Sequence, residues 1–215
     1  MNYTALVLAA GKGTRMGLGY NKMFYNLDDG ETVLFHSTQV FLNDPRCKQI
    51  VIVTNKADMV KVVLDHEQGR IVTVIGGDRR QDSVLNGLMA VTQDVVFIHD
   101  GARPYVTQEA LDRLCETMES GNEIGCILAI PVKDTVKRVT GEYIDYTVDR
   151  DLHWFAQTPQ VFKTSVILEA YIKAKNNGLI ATDDAQIVEM TTDYRIKIVM
   201  GEFTNTKITE KGDII

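Results

Sequence analysis

The chain has 215 residues, a length that favours one domain with a sizeable core, and 45% of its residues are hydrophobic against 24% charged. These are the proportions of an ordinary soluble globular protein. A net charge of −6 disfavours broad electrostatic attraction to nucleic acid or to an anionic membrane, so cations for an anionic ligand would have to be concentrated locally.

The cysteine pattern and the N-terminus bear on the compartment. The three cysteines form no C-x-x-C pair, so the sequence implies no disulfide and fits a reducing cytoplasm. The N-terminus has no cationic segment leading into a long apolar run, so we expect no signal peptide. No apolar run is long enough to span a bilayer. These observations predict a cytoplasmic protein.

Strand-like and helix-like patterns alternate through the first 130 residues. Runs rich in β-branched residues predict strands, and apolar residues at helical spacing predict helices. The predicted strands are 3–9, 49–54, 71–75, 94–98 and 125–130. The predicted helices are 32–42, 57–65, 84–91 and 107–120, the last with Thr107 as its N-cap. This alternation is typical of a parallel sheet with helices on both faces, in which ligands bind outside the carboxyl ends of the strands.

The alternation ends after Pro131. Residues 132–148 read as a β-hairpin with its turn at Gly141, within a predicted β-arm at 132–153. Two strands alone are marginal in water, so the arm should pack on something, most naturally a second subunit. The alternative is a ribbon that extends the chain's own sheet. Helices at 164–176 and 185–190, the latter with Thr182 as N-cap, and strands at 196–200 and 203–208 complete the prediction.

The first strand runs into a loop that combines glycines with cations, LVLAAGKGTRMGLGYNK at residues 6–22. Glycines let a backbone approach a ligand closely, and backbone N–H groups with nearby cations bind phosphates. The loop is neither a dinucleotide fingerprint, because Met16 stands where the third glycine belongs, nor a P-loop, because no Gly-Lys-Ser/Thr follows. We expect it to hold a triphosphate; the alternative is an ordinary glycine-containing turn.

Two further polar loops follow predicted strands, GGDRRQDS at 76–83 and HDGARP at 99–104. Because the carboxyl ends of parallel strands meet at one edge of a sheet, the three loops should line one site. His99 at a strand end is more often structural than catalytic. The four histidines show no ligand spacing, so a zinc site is not expected.

Five stretches resemble, in order, those of the 2-C-methyl-D-erythritol 4-phosphate cytidylyltransferases. They are AAGKGTRM with Lys22, GGDRRQDSV, HDGARP, PVKDTVKR with TVDRDLHWFAQTPQVF, and TDDAQIVE. The resemblance covers nearly the whole chain. It implies a single α/β domain over residues 1–215 with a Rossmann-like, mostly parallel nucleotidyltransferase sheet. It also implies that the protruding β-hairpin arm at 132–153 makes a homodimer.

The resemblance implies that the cytidylyl group of CTP passes to 2-C-methyl-D-erythritol 4-phosphate in non-mevalonate isoprenoid biosynthesis, giving 4-diphosphocytidyl-2-C-methyl-D-erythritol and pyrophosphate. An anion attacks a polyanion, so the barrier is largely electrostatic, and fixed cations with Mg²⁺ are the expected remedy. Relatives that use ribitol 5-phosphate share the first loop, the His-Asp…Arg-Pro stretch and Thr-Pro-Gln. Ribitol 5-phosphate is therefore the alternative acceptor, and a catalytically silent nucleotide-binding module is an alternative of another class.

The same resemblance assigns roles to residues of these loops. The catalytic cations would be Arg15, Lys22 and Lys207. CTP would contact Ala9, Ala10, Gly11, Gly13, Gly77, Asp78 and Ser83, the last three reading cytosine. The polyol phosphate would contact Asp100, Arg103, Thr135, Arg150, Thr158 and Thr182, with Asp100 also a Mg²⁺ ligand. Thr135 and Arg150 would reach the neighbouring subunit's site. Asp78 and Ser83 could instead cap the following helix, Arg103 could instead contact carbonyls of its own loop, and the N-cap role alone would explain Thr182.

Overall fold

The structure, a computed structural model, describes residues 1–11, 17–62, 69–121 and 123–214. Its strands are β1 (Tyr3–Leu8), β2 (Cys47–Thr54), β3 (Ile71–Ile75), β4 (Val95–Asp100), β5 (Gly125–Pro131), β6 (Lys137–Thr140), β7 (Tyr143–Thr147), β8 (Trp154–Lys163) and β9 (Lys197–Met200). Its helices are α1 (Val33–Asn43), α2 (Arg80–Leu88), α3 (Gln108–Ser120), α4 (Thr164–Asn176) and α5 (Asp184–Thr191). None of the described helices is both long and apolar enough to cross a bilayer.

Seven strands form one sheet in the order β3-β2-β1-β4-β8-β5-β9. β8 runs antiparallel to β4 and β5, and the other pairs are parallel, so the predicted mostly parallel sheet is confirmed. β8 has no counterpart among the predicted strands. It contains Pro159, and a proline argues against a central strand because it has no N–H for the ladder. The chain accommodates it at a break in the pairing with β5, which passes from Gln160 to Ala156.

Helices cover both faces of the sheet, as predicted. Successive side chains of β1 point to opposite faces, so Tyr3, Ala5 and Val7 join one core while Leu6 joins the other. α1 and α3 pack on the first face, and α2, α4 and α5 on the second. The buried central strands therefore read as continuous apolar runs, and their carboxyl ends are left for polar loops.

Several predicted boundaries need correction. α2 begins at Arg80, four residues before the predicted start, because the Asp82 carboxylate accepts the backbone N–H of the N-cap residue Arg79 at 3.2 Å. Thr182 is not an N-cap, since Asp183 caps α5 by accepting the N–H of Gln186. Thr107 does cap α3. Within the predicted helix 57–65, the described residues form a single 3₁₀ turn, Met59–Lys61, and residues 63–65 lie outside the described part of the chain. The predicted strand 203–208 is an irregular segment.

The hairpin is formed by β6 and β7, with Gly141 at φ +59° in its turn. A positive φ favours glycine there because it has no Cβ. The two strands make a sheet of their own, so the alternative of a ribbon extending the main sheet is wrong for the described residues. Every residue of both strands is exposed. Tyr143 (80% exposed) and Ile144 (63%) show that the arm presents large apolar side chains to its surroundings.

His99 is a fully buried structural histidine near the end of β4. Its Nε2 lies 3.0 Å from the carbonyl oxygen of Arg103, which can only accept, so Nε2 carries the proton. Its Nδ1 lies 3.1 Å from the hydroxyl of Thr158, and that hydroxyl oxygen in turn accepts the N–H of Asp100 at 3.0 Å. Burial lowers the pKa of His99 to about 4, so the ring is neutral at physiological pH.

We predict that His99 makes the fold acid-sensitive between pH 6.5 and 4. In the unfolded chain a histidine takes up its proton near pH 6.5, whereas His99 stays neutral in the fold until about pH 4. The unfolded state then binds more protons, so the free energy of unfolding falls on acidification, by up to about 3 kcal/mol. Urea unfolding at a series of pH values should show a flatter dependence for His99→Gln than for the parent, and parallel curves would contradict this.

Candidate active site

A cavity of about 650 Å³ lies at the carboxyl ends of β1, β3 and β4. Its walls are the described part of the first loop, the Gly76–Gly77 loop, the end of β4 and the segment that carries Lys207. The predicted site residues that line it are Ala10, Gly11, Lys22, Gly77, Asp78, Ser83, Asp100 and Lys207. The predicted convergence of three loops on one site is therefore observed, and the volume suits a small-molecule ligand.

Other predicted site residues lie outside the described part of the cavity wall. Arg15 and Gly13 fall outside the described residues. Ala9 is buried below the loop, where its N–H donates to the carbonyl of Val53 at 2.7 Å. Thr182 is exposed, and its hydroxyl donates to Gln186.

The side chains of Arg103 and Thr158 make hydrogen bonds within the fold, behind the cavity wall. Arg103 Nη1 donates to the carbonyl oxygen of Asn205 at 2.7 Å, so this guanidinium contacts a backbone carbonyl of the C-terminal segment. Thr158 is 5% exposed and its hydroxyl is engaged by His99 and by the backbone of Asp100. Both residues fix the surroundings of Asp100, and neither is among the residues that line the cavity.

The Gly76–Gly77 loop packs so closely that side chains are excluded. A Cβ on Gly77 would lie 2.4 Å from the Cβ of Asp82, and one on Gly76 would lie 2.8 Å from the Cβ of Ala10. The hydroxyl of Ser83 accepts the N–H of Gly77 at 3.0 Å. Because Arg79 and Asp82 supply the cap of α2, Ser83 does not cap that helix but holds the loop against it.

Asp100 is a buried carboxylate at the centre of the wall. Its Oδ1 lies 3.1 Å from Nε of Arg80, and its Oδ2 lies 2.6 Å from Nζ of Lys207. Burial alone would raise the pKa of Asp100, but the positive charges of Arg80 and Lys207 outweigh burial and hold the pKa well below its usual range. Asp100 is therefore ionised at any physiological pH.

Arg80 is a cavity residue that sequence reasoning missed. Its two terminal nitrogens pair with both oxygens of Asp184 at 3.0 and 2.8 Å, while its Nε faces Asp100. Asp184 is fully buried and also accepts the hydroxyl of Tyr171. Burial acts to lower the pKa of Arg80, but Asp184 and Asp100 raise it above its ordinary value. Arg80 lies within the stretch GGDRRQDSV and Asp184 within TDDAQIVE, but no local sequence pattern shows that these two residues pair.

Two lysines from distant parts of the chain meet at the cavity. Lys22 opens a 3₁₀ turn, Lys22–Phe24, that follows the first loop, and its Nζ donates to the carbonyl oxygen of Ile208 at 2.5 Å. The N–H of Ile208 donates to Ala102 at 2.8 Å, which fastens the C-terminal segment to the loop after β4. Lys207 is thereby held beside Asp100. The site thus has fixed cations on two walls.

A metal ion would have few protein ligands at this site. Among the described residues, no group of three or more His, Cys, Asp or Glu side chains could hold an ion. Asp100 offers one carboxylate with about four lone-pair positions, and Arg80 and Lys207 occupy two of these. Mg²⁺ commonly binds proteins through one or two carboxylates, with phosphates and waters as its other ligands. The donor set therefore fits an ion that arrives with a nucleotide.

The arm residues Thr135 and Arg150 are exposed and stand apart from the cavity of their own subunit. Arg150 Nη1 donates to the carbonyl oxygen of Lys133 at 2.7 Å, across the base of the arm. The structure therefore does not bring these two residues to the Asp100 wall within one chain.

Comparison with known proteins gives a consistent family. Residues 3–215 match the family described as 2-C-methyl-D-erythritol 4-phosphate cytidylyltransferase. The protein of that name from Bacillus velezensis is 40% identical over 220 residues, covering 100% of this chain and 94% of the relative. The one from Geobacillus thermodenitrificans is 41% identical over 221 residues, covering 100% and 95%.

Solved structures agree with the sequence comparison. The crystal structure of 2-C-methyl-D-erythritol 4-phosphate cytidylyltransferase from Francisella tularensis matches with a TM-score of 0.85 and 31% identity, covering 100% of this chain and 97% of the other. That of 4-diphosphocytidyl-2C-methyl-D-erythritol synthase from Anaerococcus prevotii matches with a TM-score of 0.85 and 30% identity, covering 99% and 94%. The chain belongs to the 2-C-methyl-D-erythritol 4-phosphate cytidylyltransferase family.

Proposed function

We propose that this chain transfers the cytidylyl group of CTP to 2-C-methyl-D-erythritol 4-phosphate, releasing pyrophosphate, as a step of non-mevalonate isoprenoid biosynthesis. Family membership over residues 3–215 supports the reaction. The structural observation that carries it is the cavity in which a glycine loop, the ionised Asp100 and the cations Lys22 and Lys207 converge. We also propose that the enzyme acts in the cytoplasm, because its three cysteines are all free thiols buried in the fold.

The cations account for catalysis in this proposal. A phosphate oxygen of the acceptor attacks the α-phosphorus of CTP, and negative charge builds there as pyrophosphate leaves. Lys22 and Lys207 line the cavity and would neutralise this charge, an effect that accelerates the reaction when it is stronger in the transition state than in the ground state. Arg15, in the same loop as Lys22, is proposed for the same role. The acceptor phosphate is already ionised near neutral pH, so no general base is required.

The loops account for nucleotide binding. Ala10 and Gly11 face the cavity and would present backbone N–H groups to the triphosphate. Gly77, Asp78 and Ser83 would read the cytosine. The Ser83 hydroxyl fixes the backbone of Gly77, so donors and acceptors of this loop are already oriented before the base arrives. Such pre-organisation lowers the cost of binding.

Asp100 is the residue that would hold Mg²⁺, together with phosphate oxygens of the bound nucleotide. The ion would supply further neutralisation of the phosphates. Asp100 contributes a permanently ionised carboxylate, because Arg80 and Lys207 lower its pKa. Thr158 and Arg103 contribute indirectly, since Thr158 bonds the Asp100 backbone and Arg103 ties the C-terminal segment to the same wall.

In this proposal, residues of the arm bind the acceptor. Thr135 and Arg150 are exposed. The β6–β7 sheet also exposes large apolar side chains, a feature typical of surfaces that bind another protein. We propose that residues 132–153 make a homodimer and carry Thr135 and Arg150 to the partner's cavity. An arginine suits bidentate recognition of a phosphate.

We predict that pyrophosphate release with CTP and Mg²⁺ is faster with 2-C-methyl-D-erythritol 4-phosphate than with ribitol 5-phosphate, and that EDTA abolishes it. Faster turnover of ribitol 5-phosphate would contradict the assignment of the acceptor and leave the loop chemistry intact. CTP binding without release from either acceptor would favour a silent nucleotide-binding module. Activity that persists in EDTA would contradict the role proposed for Mg²⁺.

We predict that two inactive variants, Lys22→Ala and Arg150→Ala, complement each other in one dimer. If the arm reaches the partner's cavity, a heterodimer isolated through two affinity tags has one site with both residues intact, and about half the wild-type activity returns. The reciprocal control pairs a wild-type subunit with a Lys22→Ala/Arg150→Ala subunit, and this heterodimer should be nearly inactive. Activity in the control, with none in the first heterodimer, would show that each arm serves its own subunit.

A further inference from the structure

Asn21, the residue immediately before Lys22, is 6% exposed and its side-chain amide makes three hydrogen bonds. Its Nδ2 donates to the carbonyl oxygen of Ala9 at 2.8 Å and to Oδ2 of Asp58 at 3.0 Å. Its Oδ1 accepts the N–H of Met23 at 3.2 Å. A buried amide with both ends engaged is fixed in one orientation, because any other rotamer would leave buried polar groups unpaired.

These bonds tie the turn that carries Lys22 to the segments that follow two different strands. Ala9 directly follows β1 and directly precedes the glycine loop. Asp58 lies in the segment after β2 and is held in turn by Asn55, whose amide donates to Oδ2 of Asp58 at 2.5 Å. By accepting the N–H of Met23, Asn21 is also the N-cap of the 3₁₀ turn Lys22–Phe24. The Cα of Lys22 is thus located relative to both the start of the first loop and the segment that follows β2.

Position matters more for Lys22 than for a lysine at the surface. Its side chain has four rotatable bonds, so the ammonium group is only as well placed as the backbone from which it extends. Lys22 is 9% exposed, and its Nζ reaches the carbonyl of Ile208 on the opposite wall. A displacement of about 1 Å at a reacting centre can cost about 100-fold in rate.

We propose that Asn21 is a positioning residue for the transferase reaction, whose amide fixes the Lys22 turn against Ala9 and Asp58 so that the ammonium group meets the α-phosphate. The inference rests on the proposed role of Lys22. Asn21 itself is not among the residues that line the cavity. An asparagine is required because two donors and one acceptor are used. An aspartate would keep the acceptor for Met23 but lose both donors and set a second carboxylate against Asp58.

The test is a double-mutant cycle between Asn21→Ala and Lys22→Ala, followed by pyrophosphate release with CTP and 2-C-methyl-D-erythritol 4-phosphate. Asn21→Ala alone should lower kcat about 10- to 100-fold and change the KM for CTP less than about 3-fold. On the Lys22→Ala background the same substitution should change kcat less than about 2-fold, because a residue that acts only through Lys22 has nothing left to position. Asn21→Asp should resemble Asn21→Ala.

Gln49→Ala is the matched control. Gln49 is another buried amide, 8% exposed, with its Oε1 accepting from Thr4 and Thr92 and its Nε2 donating to the carbonyl of Ala90. It pairs with Thr4 in the sheet, at the end of β1 that lies away from the cavity. Melting temperatures should fall for both Asn21→Ala and Gln49→Ala, whereas kcat should fall only for Asn21→Ala.

The outcomes separate this inference from the function on which it rests. Wild-type kcat in Lys22→Ala would overturn the proposed role of Lys22. If Lys22→Ala lowers kcat strongly and Asn21→Ala still lowers kcat by its full factor on the Lys22→Ala background, only the positioning role is overturned. An equal loss of kcat in Gln49→Ala would assign the effect to general stability and overturn it as well. If Asn21→Ala fails to fold, the same cycle with Asn21→Ser, a small polar replacement without a charge, decides.

Discussion

The Asp100 carboxylate, held between Arg80 and Lys207, is the contact on which the cavity depends. Leaving a buried carboxylate unpaired is costly, so its two cations are fixed with it. Arg80 carries the constraint onward to Asp184, which is fully buried. One chain of charges thereby links the end of β4 to the starts of α2 and α5 and to the C-terminal segment. The position of each of these elements at the cavity is set by the same ion pairs.

The location of the site could be predicted from the sequence because it follows from topology. Alternating strands and helices make a parallel sheet, and its strand ends bring loops together that are far apart in the chain. Gly77 lies in such a loop, Ser83 lies in the helix that the loop opens, and Asp100 ends β4; all three line the cavity. Lys207 differs, since it follows an irregular segment, and only the family resemblance pointed to it. Its neighbour Ile208 is held at the cavity wall by a backbone hydrogen bond to Ala102, and no periodic sequence pattern predicts this bond.

The missed features depend on pairing that local patterns do not encode. Arg80 and Asp184 each resemble an ordinary charged residue at a helix start, and only the fold brings them together. β8 was missed because Pro159 interrupts its pattern, although the ladder breaks there and needs no N–H. Thr182 and Asp183 are adjacent and both of capping type, and the observed cap is Asp183, the residue with the stronger capping preference.

The protein is acidic overall, yet its cavity has cations on two walls, and the structure shows how both conditions hold. Asp184 lies behind Arg80, on the side away from the cavity space, and is not among the residues that line it. Hydrogen bonds from Thr209 and Glu210, with a smaller effect of the Lys22 charge, hold the pKa of Asp213 below its ordinary value. Asp184 thus holds the Arg80 cation in place without filling the space where phosphates would bind. Local geometry, and not the net charge of −6, therefore decides the charge that a nucleotide meets.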